Sequence, residues 1–325
     1  MKAASIILLL LFACIFTCNG LTNGSQHDIH LVQPRRSLRI NETLEISNDY
    51  AEPNLGAVYM LVSNWKVARP GRNCYFNCSM DALVSKWRPH NSYPVILMET
   101  RPWSRQDVAE IRQKWPTLDF KFINVADIFK SAPTLAEMDF EDSESPLSSI
   151  NYKRMCHFFI KGFTQVPLLM KYKYLLRVDD DTCLKDSISF DIFRGLHWEN
   201  AAYAYTHVWK DGKKVTKGMY AFINHYVQLY QLKWQNPALH ESVVHMKHFP
   251  RVVPCFNTNF EVINTVRYRD PAVMKFVDTV VASNMIFHRR WGDAPLRLPM
   301  VSLFWTEKDI VRLEGFEVQH SSWAP

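Results

Sequence analysis

The chain has 325 residues, 47% of them hydrophobic and 13% aromatic, which is core material for one large domain or two small ones and excludes a disordered or fibrous protein. Its formal charge of +6 is dispersed among acidic residues, with no long Lys/Arg block or basic stripe, so composition argues against a nucleic-acid partner.

Met1-Lys2 precedes an apolar run from Ala3 to Cys18, closed by the polar or small residues Asn19-Gly20-Leu21-Thr22. Residues 1–20 therefore read as a secretory targeting segment. Sixteen residues fall short of the ~20 of a spanning helix, which favours cleavage near Gly20 over retention as a signal anchor. Either outcome delivers the rest of the chain to the lumen, secreted or held at a membrane by its N-terminal segment. Asn-x-Ser/Thr sequons at Asn23, Asn41 and Asn77 suit that compartment. Residues 21–55, rich in Asn, Ser, Asp and Glu without a clear period, read as a stem or linker ahead of a domain at 56–325. Beyond the targeting segment remain Cys74, Cys78, Cys156, Cys183 and Cys255, an odd number, so in an oxidising lumen one thiol stays unpaired or bonds another chain. Cys74 and Cys78 share a Pro/Gly/Asn-rich stretch and are expected to close a small local ring; no second Cys/His pair completes a zinc site.

From Ala57 the texture changes. Val58-Tyr59-Met60-Leu61-Val62 and Val95-Ile96-Leu97-Met98 are apolar runs of strand length, and Phe120-Lys121-Phe122-Ile123 alternates. Between the second and third, Ser104 as N-cap, Asp107 three residues on, and Val108, Ile111 and Trp115 on one face define a helix. Strand, helix, strand is the pattern of a parallel sheet with crossover helices. The acidic, serine-rich stretch 137–149 reads as a surface loop. Tyr174 to Val178 is then a buried strand and Ala201 to Tyr205 another, while Asp270-Pro271 opens a helix with Met274, Val277 and Val281 on one face.

The strand at Tyr174 runs into Asp179-Asp180-Asp181. Adjacent carboxylates repel, and at the end of a central strand, where open α/β sheets bind ligands, a divalent cation and a phosphate relieve the repulsion. An exposed turn whose aspartates cap the next helix is the competing reading. Four further blocks accompany the run: Asn151-Tyr152-Lys153-Arg154-Met155-Cys156, Asn259-Phe260-Glu261-Val262, Arg289-Arg290-Trp291-Gly292-Asp293-Ala294-Pro295, and Gln319-His320.

In order and spacing these five blocks resemble the fungal-type α-1,2-mannosyltransferases, glycosyltransferase family 15, over roughly residues 57–320, with Arg-Trp-Gly-Asp-Ala-Pro the most specific. The resemblance implies an α/β protein of the GT-A type, a central mixed, mostly parallel sheet flanked by helices. It implies a retaining, metal-dependent enzyme that moves mannose from GDP-mannose to a mannose-terminated N- or O-linked glycan in the secretory pathway, in the Golgi or as a secreted protein. Asp179 and Asp181 take the places of the family's metal-binding Glu and its Asp, and His320 that of its metal-ligating His. Mn2+ is the implied ion, suited to oxygen ligands with one imidazole. Glu261 matches the acid that faces the anomeric carbon, as nucleophile or as stabiliser of oxocarbenium character, and Tyr152 matches a tyrosine beside it. Asp293 is expected to contact the acceptor, or to cap the helix ahead of Pro295. Trp291 offers a stacking face or packs in the core, and Arg177 binds the donor or serves as a structural ion-pair partner.

Two departures stand out. The family ends its first strand with Arg-Asn where this chain has Ser63-Asn64, so one donor-binding cation is missing, and Asp180 replaces the family Pro. Asp180 is therefore expected to be dispensable. The loop from Lys66 to Cys78 is also unlike the family's. The departures support an alternative, a catalytically weak or inactive glycan-binding protein on the same scaffold, which would bind sugar without turnover.

Overall fold

A computed structural model describes residues 37–38, 54–63, 65–66, 75–130, 150–241 and 252–320, all within one compact unit, Val32–Pro325. The targeting segment, most of the stem, the sequons at Asn23 and Asn41, Cys74 and the stretch 137–149 lie outside the described residues. The strands are β1 (Ser37–Leu38), β2 (Gly56–Leu61), β3 (Val95–Glu99), β4 (Phe120–Asn124), β5 (Tyr174–Val178), β6 (Thr182–Leu184), β7 (Tyr203–Tyr205), β8 (Val208–Gly212), β9 (Val252–Phe256), β10 (Phe260–Asn264), β11 (Ile310–Leu313) and β12 (Val318–His320). Eight of them form one sheet in the order β1-β11-β7-β10-β5-β2-β3-β4. Only β10 runs against its two neighbours; the other pairings are parallel. Ser37–Leu38, inside the stretch read as stem, is the edge strand beside β11.

Because side chains alternate along a strand, the sheet has two distinct faces. Val58, Met60, Leu97, Leu176, Val262 and Ala204 belong to an apolar core with helices α1 (Phe76–Ala82), α2 (Arg105–Lys114) and α3 (Ile192–Trp198). The approach is closest at Gly56, where an added Cβ would fall 2.2 Å from the Phe193 ring. The opposite face meets helix α4 (Ile150–Ile160), whose Phe159 ring lies 6.3 Å from that of Tyr59, and helix α5 (Asp293–Phe304), whose Arg297 bonds to Glu261. This is the expected mixed, mostly parallel α/β sheet flanked by helices.

The caps read from sequence are present. Ser104 Oγ accepts from the Asp107 amide at 3.0 Å and Asp107 reaches back to the Ser104 amide, while Asp270 Oδ1 accepts from the Ala272 amide at 2.9 Å with Pro271 in the first turn. The helix after Asp270 buries Val273, Phe276, Val277 and Val280 rather than Met274 and Val281, because packing against α5 and its neighbours turns that stripe by one position. The cysteine expectation is also corrected. Cys78, on α1, is bonded to Cys183 on β6, with 6.2 Å between their Cα atoms, because α1 packs directly on β6. Cys156 and Cys255 are buried free thiols.

Candidate active site

Strand register builds the site. Tyr59 on β2 pairs with Arg177 on β5, Arg177 with Glu261 on β10, and Glu261 with Tyr205 on β7, so one polar row crosses four strands on one face of an otherwise apolar sheet. Arg177, buried with its guanidinium 3.3 Å from the centre of the Phe159 ring, is held by carboxylates on two sides. Its Nε and Nη2 donate to Asp179 at 2.7 and 3.1 Å, and its Nη1 donates to Asp293, which also accepts from Thr258 Oγ1 at 3.0 Å. Arg177 is thus an ion-pair partner of Asp179 and Asp293 in this structure. Burial alone would raise the Asp293 pKa, but the guanidinium of Arg177, with Arg297 behind it, holds the carboxyl below its ordinary value.

Glu261 has no exposed surface. Arg297 donates to both of its oxygens, at 3.0 and 3.1 Å, Tyr203 Oη donates to one of them at 2.8 Å, and Arg177 stands 3.9 Å away. Burial pushes its pKa up while the two guanidinium groups oppose the shift. To reach a substrate this carboxylate would have to leave Arg297. Arg297 also donates to Tyr268 Oη and the Phe159 carbonyl, so each of its three nitrogens is engaged. Sequence reasoning passed over Arg297, although a signal was there: one cation in the run Leu296-Arg297-Leu298-Pro299-Met300 implies a buried acid across the interface.

Asp181 and His320 meet at the open end of β5. The antiparallel pairing of β12 with β6 sets His320 opposite Thr182 and brings its Nε2 to 2.9 Å from Asp181 Oδ1. Burial opposes the imidazolium, but the Asp181 hydrogen bond together with the negative charges of Asp181 and Asp179 outweighs it and raises the His320 pKa. Asp179 is committed elsewhere, for besides Arg177 it accepts from Asn259 Nδ2 at 2.6 Å. Among the described residues no three acidic, His or Cys groups already form a metal cluster. Asp181 and His320 nonetheless offer oxygen and imidazole donors that fit a divalent ion, with Asp179 able to join by releasing one of its bonds. Charge favours this, since Arg177 and Arg297 face three carboxylates in Asp179, Asp293 and Glu261, leaving the buried network one negative charge in excess beside Asp181.

Asp180 is not idle. Its carboxylate accepts from the Ser63 amide at 2.9 Å and Ser63 Oγ at 3.0 Å, tying the end of β2 to the carboxylate run, and burial raises its pKa to about 6. A cavity of about 550 Å³ opens beside Asp180 and Asp181, lined also by Ser63, Trp65, Lys66 and Lys185. Tyr152, half-buried in the first turn of α4, lies under the Arg290 guanidinium at 4.7 Å; Arg290 itself has φ of 60°. Trp291 is only 1% exposed, donates from Nε1 to the Lys217 carbonyl at 3.0 Å and packs edge-on to Phe222, so it is a core residue with no face for a sugar. Asp293 does not cap its helix, a place taken by Gly292; its side chain is spent on Arg177 and Thr258.

Comparison with known proteins agrees with this architecture. The chain is similar to the probable mannosyltransferase KTR3 of Saccharomyces cerevisiae, 28% identical over 53% of this chain and 43% of the relative. It is similar also to O-glycoside alpha-1,2-mannosyltransferase homolog 3 of Schizosaccharomyces pombe, 29% identical over 54% of this chain and 47% of the relative. The chain thus spans less than half the length of these curated relatives. Its fold is similar to that of core-mannan synthase A of Aspergillus fumigatus in its Mn/GDP form, with TM-score 0.69 and 18% identity over 92% of this chain and 81% of that one. A similar likeness, TM-score 0.70 and 18% identity over 90% and 77%, holds for the mannosyltransferase Ktr4p of S. cerevisiae in complex with GDP. The profile of the glycolipid 2-alpha-mannosyltransferases matches residues 46–323, from ahead of β2 to beyond His320, and the chain belongs to that family.

Proposed function

We propose that this chain is a retaining α-1,2-mannosyltransferase that moves mannose from GDP-mannose to a mannose-terminated N- or O-linked glycan in the lumen of the secretory pathway, with the Golgi as its site. The observation that carries the reading is the meeting of Asp181 with His320 beside a cavity of about 550 Å³, in a chain of this family. GDP and Mn appear in the names of the similar solved structures, and what supports a nucleotide site in this chain is the cavity beside Asp180 and Asp181. Among the described residues no helix is long and apolar enough to cross a membrane.

Asp181 and His320, with Asp179 behind them, would hold the metal. When bound, a divalent ion supplies charge neutralisation for the departing diphosphate. The bond from the anomeric carbon to the β-phosphate oxygen breaks, GDP keeps the electron pair, and the acceptor hydroxyl bonds to that carbon on the same face while its proton passes to the phosphate oxygen. Arg177 keeps Asp179 and Asp293 at fixed separation across the reacting centre, so their charges are oriented before substrate arrives. Glu261 and Arg297 hold Arg177 from beneath, and Tyr152 with Arg290 borders the acceptor side. Purified protein incubated with GDP-mannose, manganese and methyl α-mannoside should release GDP and form a dimannoside, and Asp181→Ala and His320→Ala should each cut turnover at least about 100-fold. Absence of turnover together with absence of metal-dependent GDP binding overturns the reading.

A further inference from the structure

One carboxylate beside the reacting centre takes no part in the network around Arg177. Asp211 lies on β8, and its Oδ1 accepts from the Gly212 amide at 2.7 Å, while among the described residues its Oδ2 has neither a hydrogen-bond nor an ion-pair partner. The side chain is half-buried, so this oxygen has given up part of its water without gaining a protein donor in exchange. Burial raises the Asp211 pKa; the Gly212 amide and the Arg290 charge oppose the shift, and Asp293 adds to it.

The β8–β9 hairpin sets its place. Asp211 pairs with Val253 and Trp209 with Cys255, so Asp211 and Cys255 share one face of that two-stranded sheet. Helix α5 packs on β9, and Gly292 at its N-cap stands where an added Cβ would lie 3.9 Å from Asp211 Oδ2. The next residue is Asp293, whose carboxylate accepts from Arg177 and Thr258. Cys255 is within the field of both acids: burial first, then Asp211 and Asp293, push its thiol up. Tyr152, under the Arg290 guanidinium, also feels both, after the larger effects of Cys156 and burial. Asp211, Tyr152, Arg290 and Asp293 therefore border one region at the Asp293 end of Arg177, whereas Asp179 occupies its other edge. A carboxylate only accepts hydrogen bonds, so what completes Oδ2 is a donor. A sugar hydroxyl is one, and an ionised diphosphate, itself an acceptor, is not.

We propose that Asp211 binds a hydroxyl of the acceptor sugar through Oδ2, orienting that sugar against Asp293, and takes no part in holding the donor. The proposal rests on the transferase reading above, and the test separates the two. Wild type, Asp211→Asn and Asp211→Ala are compared in three measurements: binding of methyl α-mannoside by NMR titration with GDP and manganese present, GDP binding with manganese by calorimetry, and the kinetics of transfer. Asp211→Asn keeps an oxygen for the Gly212 amide, so it reports even where Asp211→Ala fails the check of folding by circular dichroism. Mannoside affinity is expected to fall about tenfold or more and the acceptor KM to rise by a like factor, the loss of one hydrogen bond to a charged group, while GDP binding is unchanged. Unchanged mannoside affinity in a folded variant overturns the proposal, and so do equal losses of mannoside and GDP binding, which mark a merely structural role. A wild type that binds mannoside through Asp211 yet transfers no mannose counts against the transferase reading and supports the role of Asp211. A wild type that binds GDP but no mannoside overturns that role.

Discussion

At the scale of single residues, Glu261 and Arg297 decide how the site is held. Both are fully buried and bound to each other through two hydrogen bonds, so neither charge has water to fall back on. Removing one partner strands the other, a loss of about 3–5 kcal/mol, whereas replacing both with neutral groups of similar volume costs much less. Arg297→Met is therefore expected to lower unfolding stability by about that amount, and Glu261→Gln/Arg297→Met to recover most of it, as read by urea unfolding. A double-variant loss equal to the sum of the losses of Arg297→Met and Glu261→Gln measured singly would show that the pair is uncoupled. The same double variant addresses the role of Glu261. If it folds and binds GDP with manganese yet transfers no mannose, the carboxylate itself takes part in the chemistry. Retained transfer leaves it as the anchor of Arg177.

At the scale of elements, the disulfide from α1 to β6 joins the wall of the cavity to the strand that follows Asp181. It spans a sequence separation of 105 residues, and disulfides typically stabilise by about 2–4 kcal/mol, chiefly by constraining the unfolded chain. Cys78→Ser is expected to lower stability by that amount and to weaken metal-dependent GDP binding, both readable in one thermal-shift series with and without GDP and manganese. Sequence showed a good deal at this scale. Ser104 with Asp107 and Asp270 with Pro271 mark helix starts through contacts only a few residues apart, which is why both are present in the fold. The apolar runs at Val58, Val95 and Tyr174 likewise declare themselves as strands. What could not be read was partnership. Alternation tells which face Glu261 shares with Arg177 but not that β10 lies beside β5, and nothing near Cys78 or His320 names Cys183 or Asp181 as the group it meets. Those contacts come from topology, and of all the site residues they could be anticipated only through the family pattern, which in turn had no place for Arg297 or for the bond between Ser63 and Asp180.

At the scale of the whole molecule, burial of titratable groups ties folding to pH. His157 on α4 is packed against Phe287 at 5.8 Å between ring centres, and burial, with a smaller push from Lys161, lowers its pKa to about 4. In the unfolded chain the ordinary value is about 6.5. Between those values the unfolded state binds a proton that the folded state refuses, so this group's contribution is complete above pH 6.5 and declines as pH falls toward 4. Other buried groups pull both ways, Asp180 with its raised pKa among them, so the total slope does not isolate His157. A comparison with His157→Phe does, because every other group cancels in the difference. Relative to that variant, wild type is expected to lose up to roughly 3 kcal/mol of unfolding free energy between pH 7 and pH 4, measured by urea unfolding at half-unit steps. Parallel pH curves for the two proteins would mean that water or movement of α4 lets the imidazole protonate in place. The packing of α4 over the polar row, which sets Phe159 on Arg177, would then be looser than the fold described here.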